Sequence, residues 1–317
     1  MELLDQRSAD SRRIATHNGS QGVAFKAGTG GLSGTALSQL QLPSGTDNAA
    51  AVIEYLRGER SGERTLPPTF RPRAHLLGAI IHSEPVLVRP PERGYADSGY
   101  AAFRSSNANR RRMLYAGAND GMLHAFNAHD GTAGTQSYGG GTEEWAYVPG
   151  LVLPRMKNLA DPVGSFQATV DGYITVGDAD LGNTAGGTGT DWRTLLVGGL
   201  GRGGKGFFAL DVTTPSAATN ADAAAKALWE FPAAGSTHAA NVGLSFSRPI
   251  LVKHEVVATN GTRSGEGWIV IVSSGYNNGG SGDGRGYLYV LNARTGALIR
   301  AIGTGVGSST DPSGLGQ

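Results

Sequence analysis

The sequence predicts an all-β protein: a β-propeller of four-stranded antiparallel blades, three of them within this chain and the ring therefore incomplete. Three observations carry that expectation. From residue 80 onward, short runs rich in Val, Leu, Ile, Tyr and Phe alternate with turn residues, the pattern of antiparallel strands. Gly supplies 50 of the 317 residues without a Gly-X-Y period, which excludes collagen and marks a many-turned chain. A strand-turn-strand phrase closed by an amide or acid returns at Ala125-Phe126-Asn127, Ala209-Leu210-Asp211 and Val290-Leu291-Asn292.

Residues 1–79 read as a flexible lead-in with a short helix and an extended connector. The Gly/Ser/Thr-rich start, including GSQGVAFKAGTGGLSGT, lacks periodicity. In TDNAAAVIEYLRG, Thr46 or Asp47 caps a helix whose Ala49, Val52, Ile53 and Leu56 form one apolar stripe, and Gly58 stops it. The proline-rich TLPPTFRPRAHLLG is the connector. Residues 80–317 then hold three units of four strands. The first unit runs HSEPVLVRP, RMLYAGAND, GMLHAFNA and EEWAYVP; the second TVDGYITVGDA, WRTLLVGGLG, KGFFALDV and KALWEFP; the third GLSFSRPILV, GWIVIVSSGY, GRGYLYVLNA and GALIRAI. Insertions in the connections lengthen the repeat at little cost, because loop-closure entropy grows logarithmically with length. Propellers use about 4 to 8 blades, so the remaining blades are expected beyond Gln317, which TDPSGLGQ approaches.

A β-sandwich has no reason to repeat this phrase, and a doubly wound parallel sheet needs helices that only AATNADAAAKALWEF could supply. The formal net charge is +1, from 27 basic and 26 acidic residues, with no positive block longer than Arg110–Arg112. That argues against nucleic acid as a partner, since backbone binding needs a continuous positive stripe. There is no cysteine, hence no disulfide framework and no thiolate metal site. The N-terminus lacks an apolar core of signal-peptide length, and no run reaches a membrane span; taken literally the chain is soluble and unexported, an inference that a fragment would void.

The motifs that resemble chemistry read as turns. Gly201, Gly203 and Gly206 form a GxGxxG phrase, yet a β-rich run follows where a dinucleotide loop needs a helix N-terminus, and Lys205 precedes Gly206 instead of Ser or Thr. Asn119, Asp120 and Gly121, with Asn277, Asn278, Asp283 and Gly284, occupy the matching turns of the other units, where these residue types tolerate left-handed backbone. Asp178, Asp180 and Asn183 are the nearest approach to a calcium loop but lack the full alternating set and terminal Glu. His124 and His129 are close in sequence without a metal-ligand spacing, and neither HExxH nor GxSxG occurs. Glu143 and Glu144 are adjacent on a strand and diverge, so they do not form an acid/base pair. No catalytic, cofactor or metal residue is assigned.

LGAIIHSEPVLV, RMLYAGANDGMLHAFNAHDG, WRTLLVGGLGRGGKGFFALDVT, LWEF and SGYNNG with GYLYVLNARTGALI, taken as an ordered set, resemble the propeller domain of the PilC/PilY proteins of type IV pili. VIEYLRGE followed by FRPR resembles the segment leading into it. The resemblance spans residues 50–310 and implies a quinoprotein-like propeller acting without turnover in pilus assembly and surface adhesion. It implies minor or major pilins and host or abiotic surfaces as partners. It also implies placement at the outer membrane, cell surface or pilus tip after export, peripheral to the membrane, with the signal peptide in a missing N-terminal region. Family members use a calcium loop of alternating acids, which no stretch here matches, so calcium is implied only for the full-length protein. Some members use an RGD tripeptide for integrins; this chain has Arg57-Gly58-Glu59 within its expected helix, and that role is not carried over. NARTGALI and FNAHDG also resemble quinoprotein blade ends, leaving a quinone-dependent dehydrogenase, or another protein-binding propeller, as the alternatives.

Overall fold

The computed structural model describes residues 2–42, 48–63, 69–129, 131–133, 136–182, 190–257, 263–278, 282–313 and 315. In chain order come α1 (Glu2–Asp5), β1 (Ile14–His17), β2 (Gly22–Ala24), α2 (Gly34–Ser38) and α3 (Ala49–Arg57). Then follow β3 (Val86–Val88), α4 (Tyr100–Ser106), β4 (Met113–Gly117), β5 (Leu123–Asn127), β6 (Gly131–Ala133), β7 (Gln136–Tyr138), β8 (Glu143–Val148) and α5 (Leu153–Ala160). The remainder is β9 (Ile174–Asp180), β10 (Trp192–Gly199), β11 (Phe207–Asp211), α6 (Asn220–Ala224), β12 (Ala227–Phe231), β13 (Ile250–Val257), β14 (Arg263–Ser273), β15 (Tyr287–Asn292) and β16 (Leu298–Gly303).

These strands correct the expected all-β propeller. Among the described residues they form three separate sheets and a two-stranded ribbon, β6-β7, and no sheet closes on itself. The second and third sheets are four-stranded, ordered β12-β11-β10-β9 and β13-β14-β15-β16. The first has six strands, ordered β2-β1-β8-β5-β4-β3, and is mixed, because β1 runs parallel to β8 with Ile14 opposite Ala146. Six α-helices accompany them among the described residues. The physical reason is that strand periodicity reports local pairing alone; it is blind to a strand contributed from more than a hundred residues upstream, and closure is decided by contacts between units.

The lead-in is tied to that first sheet. Ile14 and Ala15 are fully buried in it, and Phe25 lies under the same layer. The stripe of α3 packs as its spacing requires, with Val52 and Ile53 fully buried. Gly58 closes the helix at φ +123, its N–H donating to the carbonyls of Glu54 and Tyr55. Thr46 and Asp47 lie outside the described residues; Asn48 precedes the helix, and its Oδ1 accepts from Leu42 N–H at 2.9 Å.

The second sheet has two buried faces. Leu196, Phe208 and Leu210 join the core shared with the first sheet and α5, while Leu195, Val197, Phe207 and Ala209 join the core shared with the third sheet. Successive strand residues point to opposite faces, so a strand covered on both sides must be apolar along its covered length, as LLVGG and the FFAL of β11 are. The partner faces add Trp145 and Tyr115 on one side and Trp268, Tyr289 and Leu291 on the other. Each large apolar side chain so buried contributes about 1.5–3 kcal/mol.

Candidate functional site

The predicted turn residues gather at the ends of the second-to-third strand hairpins, and the first two of these turns are bonded to the segment that leads into the following sheet. After β4, the Asn119 side chain accepts from Thr169 N–H at 2.9 Å and donates from Nδ2 to Asp171 at 3.3 Å. Asp120 accepts from Gly78 N–H at 2.7 Å and from Met122 N–H at 3.1 Å. Gly121 follows at φ +95. After β10, Leu200 N–H donates to Ser245 Oγ at 2.9 Å and Gly201 N–H to the Ser245 carbonyl at 3.1 Å.

Two of these glycines show why no side chain is accommodated. Gly201 has φ +57, and a Cβ there would lie 2.6 Å from the Asp171 carbonyl oxygen. At Gly203 a Cβ would fall 1.6 Å from the Thr169 carbonyl oxygen, a backbone atom that cannot rotate away. Gly206 stands at φ +142 immediately before β11, so a strand follows the GxGxxG phrase. In the third sheet Asn277 has φ +59, and Asn278 Nδ2 donates to the carbonyls of Asn241 at 3.1 Å and Arg285 at 2.6 Å. Asp283 accepts from Tyr287 Oη–H at 2.5 Å, and Gly284 has φ +72. Gly275 N–H donates to the Leu315 carbonyl at 3.1 Å.

Below the first turn lies a buried charge network. Arg12 forks onto Glu143, Nε to Oε2 and Nη2 to Oε1, both at 2.8 Å, and its Nη1 donates to the Arg57 carbonyl at 2.9 Å. His124 bridges two carboxylates, with Nδ1 2.8 Å from Glu143 and Nε2 3.0 Å from Asp120. Carboxylates accept, so both ring nitrogens donate and the ring is an imidazolium. Burial alone would lower the His124 pKa, but Asp120 and Glu143 outweigh it and push it up to about 9. Burial likewise acts to raise Glu143, yet the Arg12 guanidinium and His124 hold its carboxyl far below the usual range. Arg57 reaches back to the lead-in, donating to the carbonyls of Phe25 at 3.0 Å and Ala9 at 2.9 Å.

Spacing could not find this network. Arg12 and Glu143 meet over 131 residues, and the available signal was local: His124 stands within the apolar run MLHAF at an inward-facing strand position. Glu144, on the other face, pairs with Arg111 at 2.8 Å.

The candidate calcium residues are committed elsewhere. Asp178 accepts from Thr194 Oγ–H at 2.7 Å and Tyr100 Oη–H at 2.8 Å; Asp180 accepts from Gly182 N–H at 3.0 Å and Asp191 N–H at 2.6 Å. Asn183 lies outside the described residues. A carboxylate facing hydroxyl and amide donors does not fit a cation, and among the described residues no group of three His, Asp or Glu side chains could hold a metal ion. Nor is any described helix long and apolar enough to cross a membrane.

Residues 77–317 match the family model described as the PilY1 beta-propeller domain. The chain belongs to the PilY1 family. It is 36% identical over 255 residues to a type IV pilus biogenesis factor PilY1 homolog of Xylella fastidiosa, covering 78% of this chain and 18% of that protein. To the type IV pilus biogenesis factor PilY1 of Pseudomonas aeruginosa strain UCBPP-PA14 it is 30% identical over 317 residues, covering 95% and 24%. The crystal structure of the Pseudomonas aeruginosa PilY1 C-terminal domain matches with a TM-score of 0.43 at 32% identity, covering 66% of this chain and 34% of that one. The chain spans about a fifth of the length of these curated PilY1 relatives.

Proposed function

We propose that this chain is the scaffold portion of a non-enzymatic type IV pilus assembly and surface-adhesion factor. The observation that carries the proposal is the PilY1 family match across residues 77–317. The committed roles of the polar groups support it: His124, Glu143, Asp178 and Asp180 are each bonded within the fold. The predicted turn glycines and amides serve structure, holding the first two hairpins against the next segment. Pilins and host or abiotic surfaces are the partners, reached at the outer membrane, cell surface or pilus tip.

The test is an in-frame removal of codons 77–317 in the host, followed by electron microscopy of surface pili and a surface-attachment assay. Loss of pili and attachment, restored by the intact gene, is expected. Normal piliation and attachment with the shortened protein present at wild-type amounts would overturn the proposal. So would dye-linked alcohol oxidation by the purified chain supplied with quinone and calcium.

A further inference from the structure

A cleft of about 460 Å³ opens beside the first two hairpin turns. Its histidine is held in place from behind. Asp171, 1% exposed, accepts from the His82 backbone N–H at 3.1 Å and faces His82 Nδ1 at 2.7 Å, while Asn119 Nδ2 donates to the same carboxylate. With Nδ1 directed at the carboxylate, Nε2 is the free edge of a ring that is 48% exposed. Arg155 of α5 lines the same cleft, its guanidinium steadied by a 2.6 Å bond to the Gly203 carbonyl. Arg202, on the glycine turn, is exposed and makes no hydrogen bond or ion pair among the described residues. Two exposed apolar side chains, Ile81 (53%) and Phe166 (62%), flank these groups.

The charge there is unbalanced. The acidic residue lining the cleft, Asp171, is already shared among three donors, whereas two guanidiniums line the same space. We infer that this cleft binds a peptide segment through a carboxylate, with an apolar side chain of that segment resting on Phe166 and Ile81. Guanidinium recognises a carboxylate in a planar, two-bonded geometry, and an apolar rim favours a residue neighbouring the acid. A membrane or a nucleic acid would instead require a broad positive field, which a chain of net charge +1 does not provide. Nor does the pair act as a hydrolase: Ser165 lines the cleft but makes no hydrogen bond to His82 among the described residues. The inference is independent of the pilus proposal, because binding is read directly on the purified chain.

Fluorescence anisotropy on the full chain tests it with three labelled peptides: Gly-Ser-Leu-Phe with a free C-terminal carboxylate, the same peptide as its amide, and Gly-Ser-Phe-Glu-Ser amide. Both acid-bearing peptides bind and the neutral amide binds at least about tenfold more weakly; the first and third together tell a chain terminus from an acidic side chain. Arg202→Glu lowers acid-peptide affinity by about tenfold or more, whereas Lys205→Glu, on the same loop but outside the cleft, leaves it unchanged. If thermal melting shows Arg202→Glu to be misfolded, Arg202→Gln replaces it and a threefold or greater loss is expected. Equal binding of acid and amide, no binding of any peptide, indifference to the arginine substitution, or binding of phosphatidylglycerol vesicles in place of the peptides would each overturn the inference.

Discussion

Replacing His124 with Gln tests the buried network through its pH dependence. The side chain is 0% exposed, so solvent does not screen its partners. Moving a histidine from its ordinary 6.5 to about 9 in the folded state makes that state more stable by about 3 kcal/mol wherever the proton is bound in both forms. The sign follows from which state holds the proton more tightly. Below pH 6.5 the contribution is complete; between 6.5 and 9 the unfolded chain releases its proton first, so stability falls; above 9 the contribution is gone. With an unfolding slope of about 3 kcal/mol/M, the wild-type urea midpoint should drop by roughly 1 M across that window. Gln has no proton to lose, and the His124→Gln chain should be less stable at pH 6 yet nearly flat from pH 7.5 to 9, where wild type continues to fall. Urea titrations of both proteins at half-unit pH steps check this. Parallel profiles for the two would refute the imidazolium bridge.

Three further outcomes are expected. Arg12→Met should cost about 3–5 kcal/mol by leaving Glu143 buried with His124 alone, and adding Glu143→Gln should recover part of that loss in chemical denaturation. Burial pushes Glu230 up to about 7 although Tyr147 Oη–H and Gly150 N–H donate to it; its folded carboxyl therefore holds the proton more tightly than the unfolded one, and wild-type stability falls as pH rises from 4.5 through 7. Glu230→Gln should accordingly melt higher than wild type above pH 7, with the difference vanishing below pH 4 by calorimetry. Gly203→Ala should destabilise by about 3 kcal/mol or more because its methyl meets the Thr169 carbonyl; an unchanged melting temperature would contradict that packing.

What could be read in advance was the local part. The stripe of α3, the apolar runs of β10 and β11, and the strand that follows Gly206 all rest on periodicities within ten residues. The architecture was misread for a corresponding reason: β1 pairs in parallel with β8 across a gap that no turn chemistry announces, since parallel partners need long crossovers. Glu143 was legible as diverging from Glu144, but its partner Arg12 was hidden among other arginines of the lead-in. His82 and Asp171 were equally silent, being 89 residues apart near the starts of the first strand-like segments of two different units.

The covering of the second sheet on both faces also determines where this molecule can meet a partner. A strand whose side chains are apolar on both sides has no face left for recognition, so polar groups of that sheet are displaced to its ends. At one end Asp211 and Arg193 form a half-buried pair, with the nitrogen-oxygen distance at 2.9 Å. At the hairpin end the backbone turns need glycine, which removes side chains and lets Thr169, Asp171 and Arg155 approach the Gly201–Gly203 backbone closely. The same close approach that excludes a Cβ at Gly203 brings Arg155 onto its carbonyl and places Arg202 over the cleft. Turn rigidity and cleft charge thus have one cause, and a substitution that opens the glycine turn should weaken peptide binding even though it removes no charge.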